Sequence, residues 1–412
     1  MSESRTLLLI GMGVMGRPYV AAAHARDARV VVVDDSAALD AARDAGILRA
    51  DDVGVAVQAG TQHQRWYEAA SRAARDHHVD AVVGFSEPQV LAAGLLGDEL
   101  DLPGPGLHAV VCSRDKAVQR AALARHGVRQ PAFHLAADPK DAAAWAQERG
   151  PVVWKPVDWF GSVGVRLLRT PEEVRQHAAD AGPGTFLLEE YLPGPEGSCE
   201  ALVDRGEVLF ASLTDKTTGP EPYFVEVMHQ VPGPRAEAAR PEIESMLRDV
   251  VDALRIRSGM VHLEYRHTDD GPAVIEVAVR TAGDTLMDLM RHAWDVDPYA
   301  VVVDLALGIP PQVRPRAVPL HAATWYMTVP DGVVTSVEGV EEARGLRGTE
   351  ACDVWVPLGT DVHNGGSSFD RVGLALVVGT SPEQLEERLS TLRSTVRIRS
   401  SPARLPAEAE HR

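Results

Sequence analysis

The chain has 412 residues, enough for two to four domains, and its 45% hydrophobic and 24% charged content is ordinary for a soluble globular protein. A formal net charge of -18 with no basic stripe argues against nucleic acid as a partner, and no apolar run is long enough to span a membrane. The three cysteines, Cys112, Cys199 and Cys352, are odd in number and widely spaced, which fits a reducing cytoplasm rather than a disulfide framework or a zinc site.

The start, "MSESRTLLLIGMG", runs straight into a glycine turn and does not read as a signal peptide. "RTLLLIG", "ARVVVVDD" and "VDAVVGF" are short β-branched runs with helical stretches between them, the pattern of a parallel sheet covered by helices. Gly11, Gly13 and Gly16 follow the first run, and Asp34 ends the second. That is the local signature of a dinucleotide site, so an NAD-dependent oxidoreductase is one reading of this segment. "DLPGPGL" (101–107) marks a domain boundary. In the helix that follows, Ser113 is the expected N-cap and Gly127 the C-cap glycine. From 150 to 280 short strands with tight turns predict antiparallel sheet, and a helical stretch follows to about 308. "GIPPQVRPRAVP" (308–319) reads as a second linker, with an α+β portion after it and a frayed tail at "SPARLPAEAEHR".

The most informative feature is a hairpin, "GMVHLEYR" and "AVIEVAVR" around the turn "HTDDGP". With the turn centred on Asp270, antiparallel register sets Glu264 opposite Glu276, at a separation where like charges repel. A divalent metal holding phosphate oxygens would relieve that repulsion, with Arg280 reaching the same place as a phosphate partner. An exposed hairpin with solvated glutamates is the plainer alternative.

Lys155 lies in an apolar strand, where it needs an anionic partner, and Gly161, Ser162, Val163 and Gly164 follow as a loop able to turn N–H groups toward an anion. The chain has no Walker A loop. "TFLLEEYLPGPEGSCE" breaks at Pro193-Gly194, a place where freed backbone groups could read a purine and Glu196 could take ribose hydroxyls.

In order, Lys116 at a helix start, Lys155 before its glycine loop, "EEYLPGPE", "HLEYR" and "IEVAVRTAGD" resemble the ATP-grasp superfamily of ligases over roughly residues 5–310. The resemblance implies a fold of α/β and α+β type. Its expected parts are a Rossmann-like domain (1–107), an ATP-grasp domain (108–310, lid about 150–215) and a C-terminal α+β portion (311–412). It implies that Lys116 and Lys155 contact ATP phosphates and that the loop 161–164 closes over them. Glu189, Glu190, Tyr191 and Leu192 would hold adenine, and Glu196 the ribose. Glu264 and Glu276 would hold magnesium or manganese, and Arg280 the transferred phosphate. Many relatives carry Asn two residues after the second metal glutamate, where Ala278 stands here.

The small residue at 278 and the segments "LTDKTTGPEPYFVEVMHQVP" and "DVDPYAVVVDLALG" are similar to the dipeptide-forming L-amino-acid ligase branch. That similarity places Glu226, His229 and Glu87 near small-molecule carboxylate and amine substrates, and a homodimer is common in the family. An ATP-grasp carboxylase is the rival on the same fold.

Overall fold

A computed structural model describes residues 5–182, 184–363 and 366–402, so the expected tail lies almost wholly outside the described residues. The first domain is a parallel sheet of β1 (Thr6–Ile10), β2 (Arg29–Asp34), β3 (Val53–Ala56) and β4 (Ala81–Gly84), in the order β3-β2-β1-β4. β1 is buried on both faces, as its unbroken apolar run requires.

The glycine turn after β1 is filled from within the chain. The Asp34 carboxylate, 5% exposed, accepts from the N–H groups of Met12 (2.7 Å) and Gly13 (2.8 Å). Those are the donors a cofactor pyrophosphate would need, and Asp34 is the acid a ribose would need. The structure therefore accounts for this motif without a dinucleotide. Gly11 sits at φ +70, and a side chain there would strike Gln89 at 2.6 Å.

A four-stranded antiparallel sheet comes next, with β5 (Phe133–Ala136), β6 (Val152–Pro156), β7 (Arg166–Leu168) and β8 (Phe186–Glu190) in the order β5-β8-β6-β7. This small subdomain begins before residue 150 and ends at β8. The segment 196–215, which the sequence reading grouped with the lid, belongs to the large sheet instead.

That sheet has eight strands. β9 (Glu196–Asp204), β10 (Glu207–Thr218), β11 (Glu226–Val231), β12 (Gly259–Thr268) and β13 (Gly271–Ala278) come from the central region. The portion beyond the proline-rich linker supplies β14 (His321–Met327), β16 (Thr349–Val354) and β18 (Gly373–Gly379) to it, and also contains β15 (Gly332–Glu338), β17 (Asp361–Val362) and β19 (Arg397–Ser401). The order is β13-β12-β9-β10-β11-β14-β18-β16, so the sheet runs across the linker, while β17-β15-β19 form a separate small sheet.

One face of the large sheet packs Cys199, Ala201, Val261, Leu263, Tyr265 and Val277 on the helix Arg240–Ala253. Sequence reading assigned no element to that helix, although Ile243, Met246, Leu247 and Val250 recur at helical spacing and are buried. The opposite face carries Glu200, His262 and Glu264. Alternation along the strands thus puts apolar residues in the core and ionisable ones in the cleft.

The helix Lys116–Arg125 is capped by Asp115, whose side chain accepts from Val118 N–H; Ser113 belongs to the last turn of the preceding helix Leu107–Arg114. Asp outcompetes Ser here because the chain kinks into an extended conformation at residue 115. Gly127 takes φ +69 just past the helix end, as expected.

Candidate active site

Strands β12 and β13 do place Glu264 opposite Glu276, through a register different from a simple hairpin. Near the turn Thr268 pairs with Gly271 and Tyr265 with Val274. Ile275 is then an extra residue, and beyond it Glu264 pairs with Glu276 and His262 with Ala278. Without this bulge Glu276 would share a rung with Leu263 and point into the core. The bulge is held by Arg120, a buried side chain of the helix Lys116–Arg125. Its guanidinium donates to the carbonyls of Val274 (3.2 Å) and Ile275 and pairs with Glu189 at 2.6 Å.

Glu189 is 2% exposed and sits between two cations, Arg120 and Lys155, the latter at 2.7 Å. Burial alone would raise its pKa, but the two cations outweigh burial and hold it at about 2. Lys155 thus has the anionic partner its apolar strand demanded. The Glu189 carboxylate is taken up by this clamp and leaves only backbone groups for any ligand.

Lys155, Glu189, Glu190, Tyr191, Leu192 and Glu196 line one cleft with Lys116, Ser162, Val163, Phe224 and Ile275. Tyr191 stacks with Phe224 at 6.4 Å, and the Arg266 guanidinium lies 4.9 Å from the Phe224 ring. Arg266 also donates to the Leu192 carbonyl (3.0 Å) and pairs with Glu196 at 2.5 Å. Gly161 and Gly164 adopt positive φ on either side of Val163.

A second cleft of about 310 Å³ adjoins it, lined by Glu87, Gly161, Ser162, Lys216, Glu226, His229, Glu264, Glu276, Ala278, Arg280, Asp284, Ser368 and Arg371, among others. Nearly every acid here faces a base. Glu264 meets Lys216 and His262, and Glu276 meets Lys116 at 3.0 Å. Burial raises the Glu264 pKa, yet Lys216 and His262 more than offset it and keep the group well below the usual carboxylate range. Glu87 is held between Arg114 and Arg280 (2.5 Å), and its pKa falls to about 2 although burial opposes the shift. Glu226 lies 3.4 Å from Lys216, and Asp284 forms a two-pronged pair with Arg371 (2.9 and 2.5 Å).

His229 is the exception. It is 0% exposed and neither ring nitrogen has a hydrogen-bond partner. Burial, with help from Lys216, pushes its pKa down to about 4, so the ring is neutral at physiological pH.

The sequence-predicted residues therefore converge on two contiguous clefts, except Gly164, which is exposed and lines neither. Lys216, Arg120, Arg114, Asp284, Ser368 and Arg371 were missed. Lys216 lacks the signal that Lys155 gave, because Thr214, Asp215, Thr217 and Thr218 surround it in β10. Nothing local marks Ser368 or Arg371, because they reach the cleft only through tertiary packing of the C-terminal portion.

Glu264 and Glu276 suit a hard, oxygen-seeking cation that keeps part of its water, since both offer carboxylate oxygens at the open side of the cleft. A second group of ligand atoms within 4.8 Å of one another is Glu226, His229 and Asp284. Its buried imidazole suits softer ions, whereas Glu264 and Glu276 offer carboxylate oxygen alone.

Comparison with known proteins agrees with the geometry. Residues 148–288 match the ATP-grasp domain, and residues 325–401 match the L-amino acid ligase C-terminal domain 2. The L-arginine-specific L-amino acid ligase of Bacillus subtilis is 21% identical over 304 residues, covering 71% of this chain and 73% of that protein. Carnosine synthase 1 of Gallus gallus is 26% identical over 382 residues, covering 84% of this chain but 40% of its own length. The chain spans 33% to 73% of the length of such curated relatives. An L-amino acid ligase structure from Bacillus licheniformis superposes with a TM-score of 0.81 at 21% identity, covering 97% of this chain and 100% of that one.

Fold, paired carboxylates and domain match together show an ATP-grasp domain in this chain. Residues 325–401 match the C-terminal domain of the L-amino-acid ligases, and the chain is similar to members of that group. Among the described residues, no helix is long and apolar enough to cross a membrane.

Proposed function

We propose that this protein joins a carboxylate to an amine at the expense of ATP, with amino acids or close analogues as substrates, and releases ADP and phosphate. The observation that carries this reading is the Glu264–Glu276 pair facing a cleft that also holds Lys216 and Arg280, with Lys116 of the adjoining cleft paired to Glu276 at 3.0 Å. Such a mixture of opposed charge suits anionic phosphates bridged by a cation. Adenine would lie among Tyr191, Leu192 and Phe224, with Glu196 and Arg266 beside the ribose. Lys155, Lys116 and the loop 161–164 would face the phosphates.

Glu264 and Glu276 would hold magnesium, which neutralises charge on the transferring phosphoryl group. A substrate carboxylate oxygen attacks the γ-phosphorus, the bond to ADP breaks, and an acyl phosphate forms. Arg280, kept in place by Glu87, neutralises the new phosphate. The amine nitrogen then attacks the acyl carbon, the C–N bond forms and the C–O bond to phosphate breaks. Glu226 and His229 orient the amine. His229, neutral and otherwise unbonded, offers a lone pair for its proton.

Screening amino-acid pairs for ADP and phosphate release tests the proposal. Release should require both a carboxylate and an amine partner. Formation of AMP and pyrophosphate, or bicarbonate-stimulated turnover with no amine, would overturn it.

A further inference from the structure

The loop at 161–164 belongs to the small subdomain, yet it does not hang free. Its first residue touches a short segment of the C-terminal portion. Ser368 N–H donates to the Gly161 carbonyl at 3.2 Å. The Phe369 ring lies edge-on to Phe160 with centroids 6.5 Å apart, and it comes within 3.1 Å of where a Gly161 Cβ would stand.

The same segment also faces the amine side of the cleft, because Ser368 Oγ donates to Glu226 Oε2 at 3.1 Å. It is firmly built. Ser367 and Asp370 form a capping box, and the Arg371 guanidinium donates to the Ser368 carbonyl at 2.7 Å. Arg371 also pairs with Asp284 through two nitrogens and lies 4.0 Å over the Tyr326 ring. Phe369 itself is 70% exposed, although every neighbouring anchor is at least partly buried. An exposed aromatic residue on a rigid mount, met by a glycine loop from another subdomain, has the form of a landing surface.

We infer that Ser368 and Phe369 are positioning residues that hold the 161–164 loop closed over the phosphate side and couple its closure to the Glu226 side. The inference rests on the ligase reading above. Its chemical purpose follows from the acyl phosphate, which water can attack at the acyl carbon to give back the free carboxylate and phosphate. A loop held shut excludes that water until the amine arrives. Because Ser368 bonds both Glu226 and the Gly161 carbonyl, a group that engages Glu226 and draws away the Ser368 hydroxyl acts on the anchor of the loop.

Two readouts test this on the full-length protein with Phe369→Ala, Phe369→Leu and Ser368→Ala. The first is chymotryptic cleavage at Trp159 and Phe160, measured without nucleotide and with ADP and magnesium. Phe369→Ala should be cut about two- to tenfold faster than wild type in both states, the range a single aromatic pair supports. Phe369→Leu should fall between them. The second is the ratio of amide formed to phosphate released, which should drop in Phe369→Ala and Ser368→Ala as hydrolysis outruns ligation. Cleavage rates and ratios equal to wild type would overturn the inference. If wild type fails to bind ADP, the ligase reading falls, while the nucleotide-free cleavage comparison still decides whether the segment holds the loop.

Discussion

Glu264 stands directly across from Glu276 only because Ile275, between Val274 and Glu276, has no partner on the neighbouring strand. One unpaired residue moves an acid from the core face to the cleft. Its carbonyl, freed from the ladder, is claimed by Arg120. The paired carboxylates and the buried arginine are one construction.

Replacing Glu276 with Ala removes one acid of the pair and leaves Lys116 without its carboxylate. Ligation should fall by at least about a hundredfold, since neutralising the moving phosphoryl group is worth several kcal/mol and each tenfold is about 1.4 kcal/mol. Steady-state phosphate release at saturating magnesium measures the loss, and activity near wild type would remove this pair from the mechanism.

Arg120→Met keeps most of the side-chain volume but leaves Glu189 with Lys155 alone. Breaking a buried pair from one side costs about 3–5 kcal/mol, and the remaining lysine should keep the loss near the lower end. Urea unfolding reads it directly. Because the Ile275 carbonyl also loses its donor, metal-dependent ADP binding should weaken by about 10- to 100-fold, as for other residues that orient a ligand set from behind.

The acid limb of stability has a defined shape. Glu87 and Glu189 have pKa values of about 2 in the folded chain, against an ordinary 4.5. Depressed carboxylates stabilise the fold above the ordinary value and lose that contribution as pH falls toward the folded one. Unfolding free energy should therefore drop most steeply between about pH 4.5 and 2. His229 adds an earlier step. Its folded pKa of about 4 lies below the ordinary 6.5, so its neutral form favours the fold above pH 6.5 and is eroded between 6.5 and 4. His229→Phe should abolish that first step and raise stability near pH 5, while slowing amide formation. Persistence of the first step in the variant would assign it elsewhere.

Asp34→Asn weakens charge-assisted bonds to the N–H groups of Met12 and Gly13, worth about 1.5–3 kcal/mol each when intact. Thermal unfolding should report a loss within that range. Wild type should show no saturable enhancement of NADH fluorescence, because the donors a dinucleotide needs are already occupied.

Most of the candidate site's placement was legible in the sequence because it is written in local patterns. Alternation in β12 put His262 and Glu264 on one face, and turn residues located the hairpin. Lys155 in an apolar strand announced an unseen acid. The register itself was right for a different reason, since a bulge is invisible to a symmetric count about Asp270. Glu189 also differs in kind. Its place in one cleft with Tyr191 and Leu192 was foreseen, but its partners Arg120 and Lys155 come from other elements, and they tie its carboxylate into a clamp. Ser368 and Arg371 carry no local signature, because their arrangement depends on how the C-terminal portion folds back onto Asp284.

The eight-stranded sheet that crosses the linker has a practical consequence for building chimeras. β11 is bonded to β14, and β14 to β18, so a cut at the proline-rich stretch would strip β11 of its neighbour and bare a long strand edge. The visible seam in the chain is therefore a poor place for scissors. Swapping recognition elements between relatives should instead exchange the Ser367–Arg371 turn together with its anchors Asp284 and Tyr326, leaving the sheet whole.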